Sequence, residues 1–310
     1  MRIVFMGTPE FAVPSLRILY EAGYTIPAVI TGPDRMGGRG RKQLIESPVK
    51  RFALEKNLNV LQPTNLKSEA FQEELRALKA DLQVVVAFRM LPASVWDMPP
   101  LGTYNLHGSL LPRYRGAAPI NWAVIRGEKT TGVTSFKLRH EIDTGSILLQ
   151  REMPILHEDT ATDVHNRMMF LAADLVLETV QIIESGKTEL KEQDDSQVSQ
   201  APKLTKENTK IDFNKNAEEV YNFIRGLSLY PAAWFDLKGQ PVKIYRSEVL
   251  EAEHELKPGT ILTDNKQYIH IACGSGKLNV LELKYPGKRK MNTAEFLNGF
   301  DLKSALEDAD

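Results

Sequence analysis

Residues 1–22, Met1-Arg2-Ile3-Val4-Phe5-Met6-Gly7-Thr8-Pro9-Glu10 continuing Phe11-Ala12-Val13-Pro14-Ser15-Leu16-Arg17-Ile18-Leu19-Tyr20-Glu21-Ala22, read as one strand, one turn and one helix. Arg2–Met6 has the apolar run of a strand covered on both faces. Gly7-Thr8-Pro9 turns the chain, and Phe11, Ser15, Leu16 and Leu19 share one helical face before Gly23 closes it. The alternation then repeats. Ile26–Thr31 is a second strand, Pro48 to Lys56 and Ser68–Lys79 are helices, and Leu82–Phe88 is a strand. Leu101–His107 and Gly132–Leu138 are further strands around a short helix at Ala118–Arg126. A long helix runs from Asp159 or Thr160 to Gly186, with Val164, Met168, Leu171, Leu175 and Ile182 as its apolar stripe. Strands alternating with helices predict an α/β fold, a mostly parallel sheet flanked by helices.

Past this region the composition changes. Ser185 to Lys210 is polar and contains Ala201-Pro202-Lys203, which reads as an interdomain linker. Beyond it lie one helix, Ala217–Gly226, and short strands around Trp234, Val242–Tyr245, Thr260–Leu262, Tyr268–Ala272 and Leu278–Leu283. A small closed β-structure is expected. The division is a first domain over 1–186, a linker over 187–207 and a second domain over 208–310.

The chain has 310 residues, 42% hydrophobic and 25% charged, with a formal net charge of -1. Near-neutrality excludes a broad basic surface, so any nucleic-acid contact has to be local. Two basic stretches qualify: Arg35, Arg39, Arg41 and Lys42 in a glycine-rich loop over 32–47, and Lys284, Lys288, Arg289 and Lys290. The single cysteine, Cys273, rules out an internal disulfide or a Cys-pair zinc site and fits a reducing cytoplasm, the expected location. No apolar run approaches the ~20 residues that span a bilayer, so no membrane association is expected.

Gly7 follows the first strand where a dinucleotide fold carries three glycines, but it stands alone, so NAD binding is disfavoured. No Walker sequence, G-x-S-x-G or H-E-x-x-H is present. The informative stretch is Asn105-Leu106-His107-Gly108-Ser109-Leu110-Leu111-Pro112-Arg113-Tyr114-Arg115-Gly116. Asn105 and His107, two apart at a strand's carboxyl end, share a face where α/β sheets bind ligands. A pair that merely orders the next loop is the competing reading. Asp143, in Ile142-Asp143-Thr144-Gly145, follows the next strand. A right-handed crossover would set the two strands parallel, so that the later loop reaches the end of the earlier strand. Asn, His and Asp without a Ser or Cys nucleophile suit direct acyl transfer to an amine. Asn105 and the His107 ring N–H would stabilise an oxyanion, and a carboxylate-paired histidine would move the proton. His140 is expected to be a loop residue.

The stretch Asn105–Pro112 with Ile142–Gly145 resembles the signature of the 10-formyltetrahydrofolate-dependent formyltransferase family. Further motifs resemble its methionyl-tRNA formyltransferase branch: Phe5-Met6-Gly7-Thr8-Pro9-Glu10-Phe11-Ala12, Pro33-Asp34-Arg35, Gly38-Arg39-Gly40-Arg41-Lys42, Arg115-Gly116-Ala117-Ala118-Pro119 and Ile224-Arg225-Gly226-Leu227. The resemblance implies a Rossmann-like catalytic domain and a C-terminal OB-like β-barrel. It implies formyl transfer to methionine on initiator Met-tRNA, with 10-formyltetrahydrofolate as co-substrate, no metal, and a monomer. Asn105, His107 and Asp143 fall on the family's catalytic positions. Ser109, Leu110, Leu111 and Pro112 fall on the folate segment, with Phe88, Arg89 and Leu91 beside the pterin. Arg35, Arg39, Arg41 and Lys42 match the insertion that meets tRNA, and Lys288 and Arg289 are the second basic candidates. Arg89 stands where the family usually carries glycine, and Glu141 replaces another glycine before Asp143. The alternatives are a formyltransferase for a nucleotide sugar or other small amine, a formyltetrahydrofolate hydrolase, and a non-catalytic RNA-binding protein.

Overall fold

The opening apolar run folds as β1 (Ile3–Gly7), all five residues buried, in a computed structural model that describes residues 1–37, 43–251 and 253–307. Two units form. One is Met1–Pro119, Thr130–Pro154 and His165–Ala201; the other is Ile120–Lys129, Ile155–Val164 and Pro202–Asp310.

In the first unit β1 leads through a short 3-10 turn into α1 (Val13–Glu21), then β2 (Val29–Ile30), β3 (Arg35–Gly37), β4 (Gln43–Ile45), α2 (Pro48–Glu55) and β5 (Val60–Leu61). Next come α3 (Glu69–Ala77), β6 (Leu82–Val86), the single turn α4 (Ala93–Trp96) and β7 (Thr103–His107). After β8 (Arg115–Gly116) the chain passes through α5 (Pro119–Ile125), nearly all of it in the second unit, to β9 (Thr130–Lys137), β10 (Ile147–Pro154), α6 (Ala161–Glu184), whose first turn is also in the second unit, and β11 (Gln200–Ala201). The main sheet has the order β10-β9-β7-β6-β1-β2-β5. Five strands from β7 to β5 are mutually parallel, as the alternation predicts. The chain winds outward from β1 to β5, then returns to β6 on the other side. That reversal opens the crevice beyond the carboxyl ends of β1 and β6 where such sheets take ligands. β6 is buried throughout like β1, and Val4, Met6, Ile30 and Val85 pack with Phe71 and Leu75 of α3 in one core.

Gly7 has a packing reason. A Cβ there would lie 2.7 Å from the Ala12 Cβ and 2.9 Å from the Val86 carbonyl oxygen.

Three expectations need correction. β9 runs antiparallel to β7, with Tyr104 opposite Lys137 and His107 opposite Thr134, so no parallel crossover joins them. The helix of the connection, α5, belongs to the second unit apart from its first residue. β10, absent from the sequence reading, pairs antiparallel with β9 as the sheet's edge. The 32–47 stretch, expected as an irregular loop, contains the antiparallel pair β3–β4, Arg35 opposite Ile45 and Gly37 opposite Gln43. Along α6, Val164, Met168, Ala172, Leu175, Val176, Val180 and Ile183 are buried, while Leu171 and Ile182 sit at the edges of the stripe.

The second unit holds α7 (Ala217–Leu227), β12 (Ala233–Leu237), β13 (Gln240–Leu250), β14 (Ile261–Thr263), β15 (Ile269–Ala272), β16 (Lys277–Lys284), β17 (Met291–Asn292), α8 (Thr293–Asn298) and α9 (Leu302–Glu307). Asn216 caps α7 in a capping box with Glu219, which satisfies orphan first-turn amides. The sheet order is β12-β13-β16-β15-β14, with β17 on β16, all antiparallel. Its inner face buries Phe235, Ile244, Ile271, Val280 and Leu283 against Val220 and Ile224 of α7. Among the described residues the path ends at β12 and β14, so the barrel is partly open where a closed one was expected. It is an OB-like half-barrel.

Candidate active site

Asn105 and His107 lie on β7, between β6 and β9. Alternation along the strand puts both side chains on one face. His107 is 6% exposed, and its Nε2 lies 2.8 Å from the Tyr114 carbonyl oxygen. A carbonyl only accepts, so Nε2 carries the hydrogen and donates. Nδ1 is left facing the Asp143 carboxylate at 3.8 Å. The Asn105 side chain is half-buried, with no hydrogen-bond partner for its amide among the described residues.

Asp143 arrives by a route different from the one its sequence position suggested. The β9–β10 loop begins beside Thr103, whose carbonyl accepts the Leu138 N–H at 2.8 Å, at the start of β7. It nevertheless carries Asp143 to His107 at the other end. Asp143 adopts φ 55, and its Oδ2 accepts the Gly116 N–H at 2.9 Å. Gly116 permits this because it is glycine. Its φ is +125, and a Cβ would stand 2.6 Å from the Ala201 carbonyl oxygen across the β8–β11 pair.

The segment after β7 is braced from within. Ser109 is fully buried and donates to the Arg113 carbonyl at 2.6 Å. Thr134 Oγ1 donates to the Ser109 carbonyl and accepts the Leu111 N–H. Gln150 donates to Thr134 Oγ1 and to the Leu111 carbonyl. Leu111 is buried, whereas Leu110 and Pro112 are half-exposed. Of the four residues expected at the folate, Leu110 and Pro112 therefore present surface, and Ser109 and Leu111 hold the segment's shape.

Past β6, Ala87 takes φ 48, Phe88 is half-buried and Leu91 is buried. The N–H groups of Phe88, Arg89 and Met90 have no main-chain partner among the described residues. Free main-chain donors beside an apolar wall suit the edge of a flat heterocycle. Arg89 turns away to donate to the carbonyls of Pro63 and Thr64, its guanidinium 5.6 Å from the Phe88 ring. Partial burial lowers its pKa from the ordinary value, but a guanidinium remains charged.

The basic hairpin has a tied root. Thr8 accepts the Gly32 N–H, Thr31 and Ser47 share a hydroxyl contact at 2.8 Å, and Gln62 donates to Gly32 O and Asp34 Oδ1. Lys50 binds Asp34 at 2.5 Å and Glu46 at 3.0 Å. The Lys50 and Gln62 hydrogen bonds hold the Asp34 carboxyl below its ordinary value, and Asp34 and Glu46 raise Lys50. Arg35 is exposed on β3. Arg39, Arg41 and Lys42 lie outside the described residues. In the second unit Lys288 donates to the Gly299 carbonyl, Arg289 pairs with Glu295 and Lys290 with Glu282.

Sequence reasoning missed Arg115, Gln193 and Ser199. Arg115 is 9% exposed and donates to Gln193 Oε1, and Ser199 Oγ accepts the Tyr114 N–H at 2.9 Å. The latter two fall in the polar stretch whose composition reads as a linker, and composition carries no signal of contact.

The formyl transferase family pattern matches residues 1–180, and the family's C-terminal domain pattern matches residues 203–301. A methionyl-tRNA formyltransferase from Bacteroides thetaiotaomicron is 52% identical over 99% of this chain and 98% of that protein. One from Flavobacterium johnsoniae is 50% identical over 96% of each. Among solved structures, an N-formyltransferase from Helicobacter canadensis in complex with folinic acid and dTDP-3-aminofucose aligns with a TM-score of 0.69 at 22% identity, over 90% of this chain and 98% of that one. A methionyl-tRNA formyltransferase from Clostridium thermocellum aligns at 0.56 and 18%, over 88% and 100%. At those identities the structural likeness speaks for the fold. With two family patterns covering most of its length and half of its residues identical to those relatives, the chain belongs to the formyl transferase family, in its methionyl-tRNA formyltransferase branch.

Proposed function

We propose that the chain transfers the formyl group of 10-formyltetrahydrofolate to the α-amino group of methionine on initiator Met-tRNA, giving formylmethionyl-tRNA for translation initiation. The observation that carries this is the near-end-to-end identity to methionyl-tRNA formyltransferases, with an Asn105, His107 and Asp143 cluster at the sheet's ligand crevice.

In this reading the amine attacks the formyl carbon, a C–N bond forms, and the carbonyl oxygen becomes an oxyanion. The unpartnered Asn105 amide donates to it. Such a donor is worth about 2.7–4 kcal/mol in a transition state. His107 takes the amine's proton at Nδ1, and Asp143 stabilises the imidazolium that results. Collapse breaks the bond to folate N10, which receives the proton from Nδ1. Because Nε2–H is held by Tyr114, the oxyanion falls to Asn105 and to Nδ1–H once formed. The folate would lie along Phe88, Arg89 and Leu91 and on Leu110 and Pro112, with Ser109 and Leu111 shaping that segment.

For tRNA, the 32–47 segment supplies Arg35, Arg39, Arg41 and Lys42. Lys288 and Arg289 supply a second contact, for which Arg289 would exchange Glu295 for a phosphate. The Arg289–Glu295 pair is 71% and 42% exposed at its two side chains, and solvent screens so exposed a pair, so the exchange costs little. The domain plan is a catalytic domain over 1–186, a linker over 187–207 and a tRNA-binding OB-like domain over 208–310, acting as a monomer in the cytoplasm. Among the described residues no helix is long and apolar enough to cross a membrane.

The test is a charging-and-transfer assay. Purified protein is expected to formylate Met-tRNA with 10-formyltetrahydrofolate, and His107→Ala to lower the rate by roughly 10²–10⁴. Turnover of a nucleotide-sugar amine with Met-tRNA untouched would refute the proposal.

A further inference from the structure

One segment carries Asp143 and another carries Tyr114 and Gly116, the hydrogen-bond partners of His107 and Asp143, and residues 191–201, following α6, grip both. On one side Lys191 exchanges two backbone hydrogen bonds with Ile147, at 2.7 and 2.8 Å. Glu192 accepts from Ser146 and Arg139. Gln193 Nε2 donates to the carbonyls of Asp143 and Gly145, each at 2.8 Å. On the other side the Ser199 carbonyl accepts the Arg115 N–H at 2.9 Å and the Ala201 carbonyl accepts the Ala118 N–H at 3.2 Å. Ser199 Oγ holds Tyr114, whose carbonyl in turn holds His107. Arg115 closes the circuit, donating to Gln193 Oε1 at 3.0 and 2.7 Å and to Asp195 Oδ1 at 2.9 Å.

We infer that Gln193 is a positioning residue for formyl transfer: it holds Asp143 in its left-handed conformation, so that the carboxylate meets the Gly116 N–H and faces His107 Nδ1. The inference rests on the function proposed above. A non-glycine residue at φ 55 is uncommon and persists where its surroundings over-determine it. Here the two hydrogens of one amide fix the carbonyls of Asp143 and Gly145, two positions apart. The same amide's oxygen is fixed by a buried guanidinium. Only an amide side chain offers two donors and an acceptor on one planar head. A glutamate would keep the contact with Arg115 but turn acceptors toward two carbonyls.

The experiment uses the full chain as wild type, Gln193→Ala, Gln193→Glu and Asp143→Asn, with Met-tRNA and 10-formyltetrahydrofolate. Both Gln193 variants are expected to lose roughly ten- to hundred-fold in kcat, the cost of misplacing a catalytic group by about 1 Å. KM for Met-tRNA is expected to stay near wild type. The His107 ring ¹⁵N signals are expected to move toward those of Asp143→Asn. Gln193→Glu being as slow as Gln193→Ala would show that donation to the loop matters and not merely anchorage of Arg115. Wild-type kcat in Gln193→Ala, or unmoved His107 signals in either variant, would overturn the inference. If the wild type itself fails to formylate Met-tRNA, the functional reading fails, and the ¹⁵N signals still decide whether Gln193 orders Asp143 against His107.

Discussion

Replacing Gly116 with alanine perturbs the site through the backbone alone. Its φ of +125 lies in a region nearly restricted to glycine, and the new Cβ would stand 2.6 Å from the Ala201 carbonyl oxygen and 3.2 Å from its carbon. The conformational penalty alone is of order 1–3 kcal/mol. The steric contact is with main chain, so relief requires β8 to part from β11. That strains the Arg115–Ser199 and Ala118–Ala201 hydrogen bonds, each worth about 1 kcal/mol net. Movement of Gly116 also weakens its N–H contact to the Asp143 carboxylate, a charged acceptor worth about 1.5–3 kcal/mol. These costs trade against one another, since parting the strands removes the clash. The expected loss is about 2–4 kcal/mol, which lowers Tm by roughly 5–15 °C. Because Asp143 loses its fixed donor, kcat should fall by more than about ten-fold. Thermal unfolding and the transfer assay on the same preparation measure both. A variant with wild-type Tm would falsify the steric argument, and a lowered Tm with unchanged kcat would refute the link between Gly116 and the proposed role of the Asp143 carboxylate.

Further outcomes are expected elsewhere in the chain. Cys273 is fully buried, and burial pushes its thiol up to about 11; at pH 8 it should resist a thiol reagent until denaturant is added, and rapid labelling of native protein would contradict its burial. The Asp34 carboxyl is held below its ordinary 3.8, so its tie to Lys50 is fully present above pH 3.8 and is lost as pH falls through the lower folded value. Protection of the hairpin-root amides, taken relative to their intrinsic exchange at each pH, should therefore fall in acid in the wild type, whereas Asp34→Asn should already lack it at neutral pH; identical protection profiles would dismiss the tie. Arg39→Ala should raise KM for Met-tRNA and leave folate binding near normal, and equal loss of both would assign the hairpin another role.

Much of this architecture is legible in residue order. The continuous apolar run at Ile3–Gly7 announces a strand buried on both faces, Leu82–Val86, broken only by Gln83, announces another strand, and a polar pair at the end of β7 marks the crevice. What the sequence hides is direction and return. A strand, a helix and a strand look alike whether the helix covers the sheet or joins another unit, as α5 does, so β9 was read as parallel. The middle of β10, Gln150-Arg151-Glu152, is polar and exposed at the sheet's edge, and such a run lacks the apolar signal of β6. Gln193 and Ser199 act through contacts across 50 and 85 positions, and a polar residue reads the same in sequence whether it is solvated or clamping a loop.

The tether between His107 Nε2 and the Tyr114 carbonyl makes the imidazole a single-port device. A free imidazole can accept a proton at one nitrogen and release another from the opposite edge, relaying charge across the ring. Here one edge is spoken for, so the proton entering at Nδ1 must leave from Nδ1. In the proposed reaction the attacking and departing nitrogens would therefore visit one place in turn. A deuteron borne by the amine would emerge on the folate product whenever that visit outpaces exchange with water. The order of events is written into which nitrogen is tied.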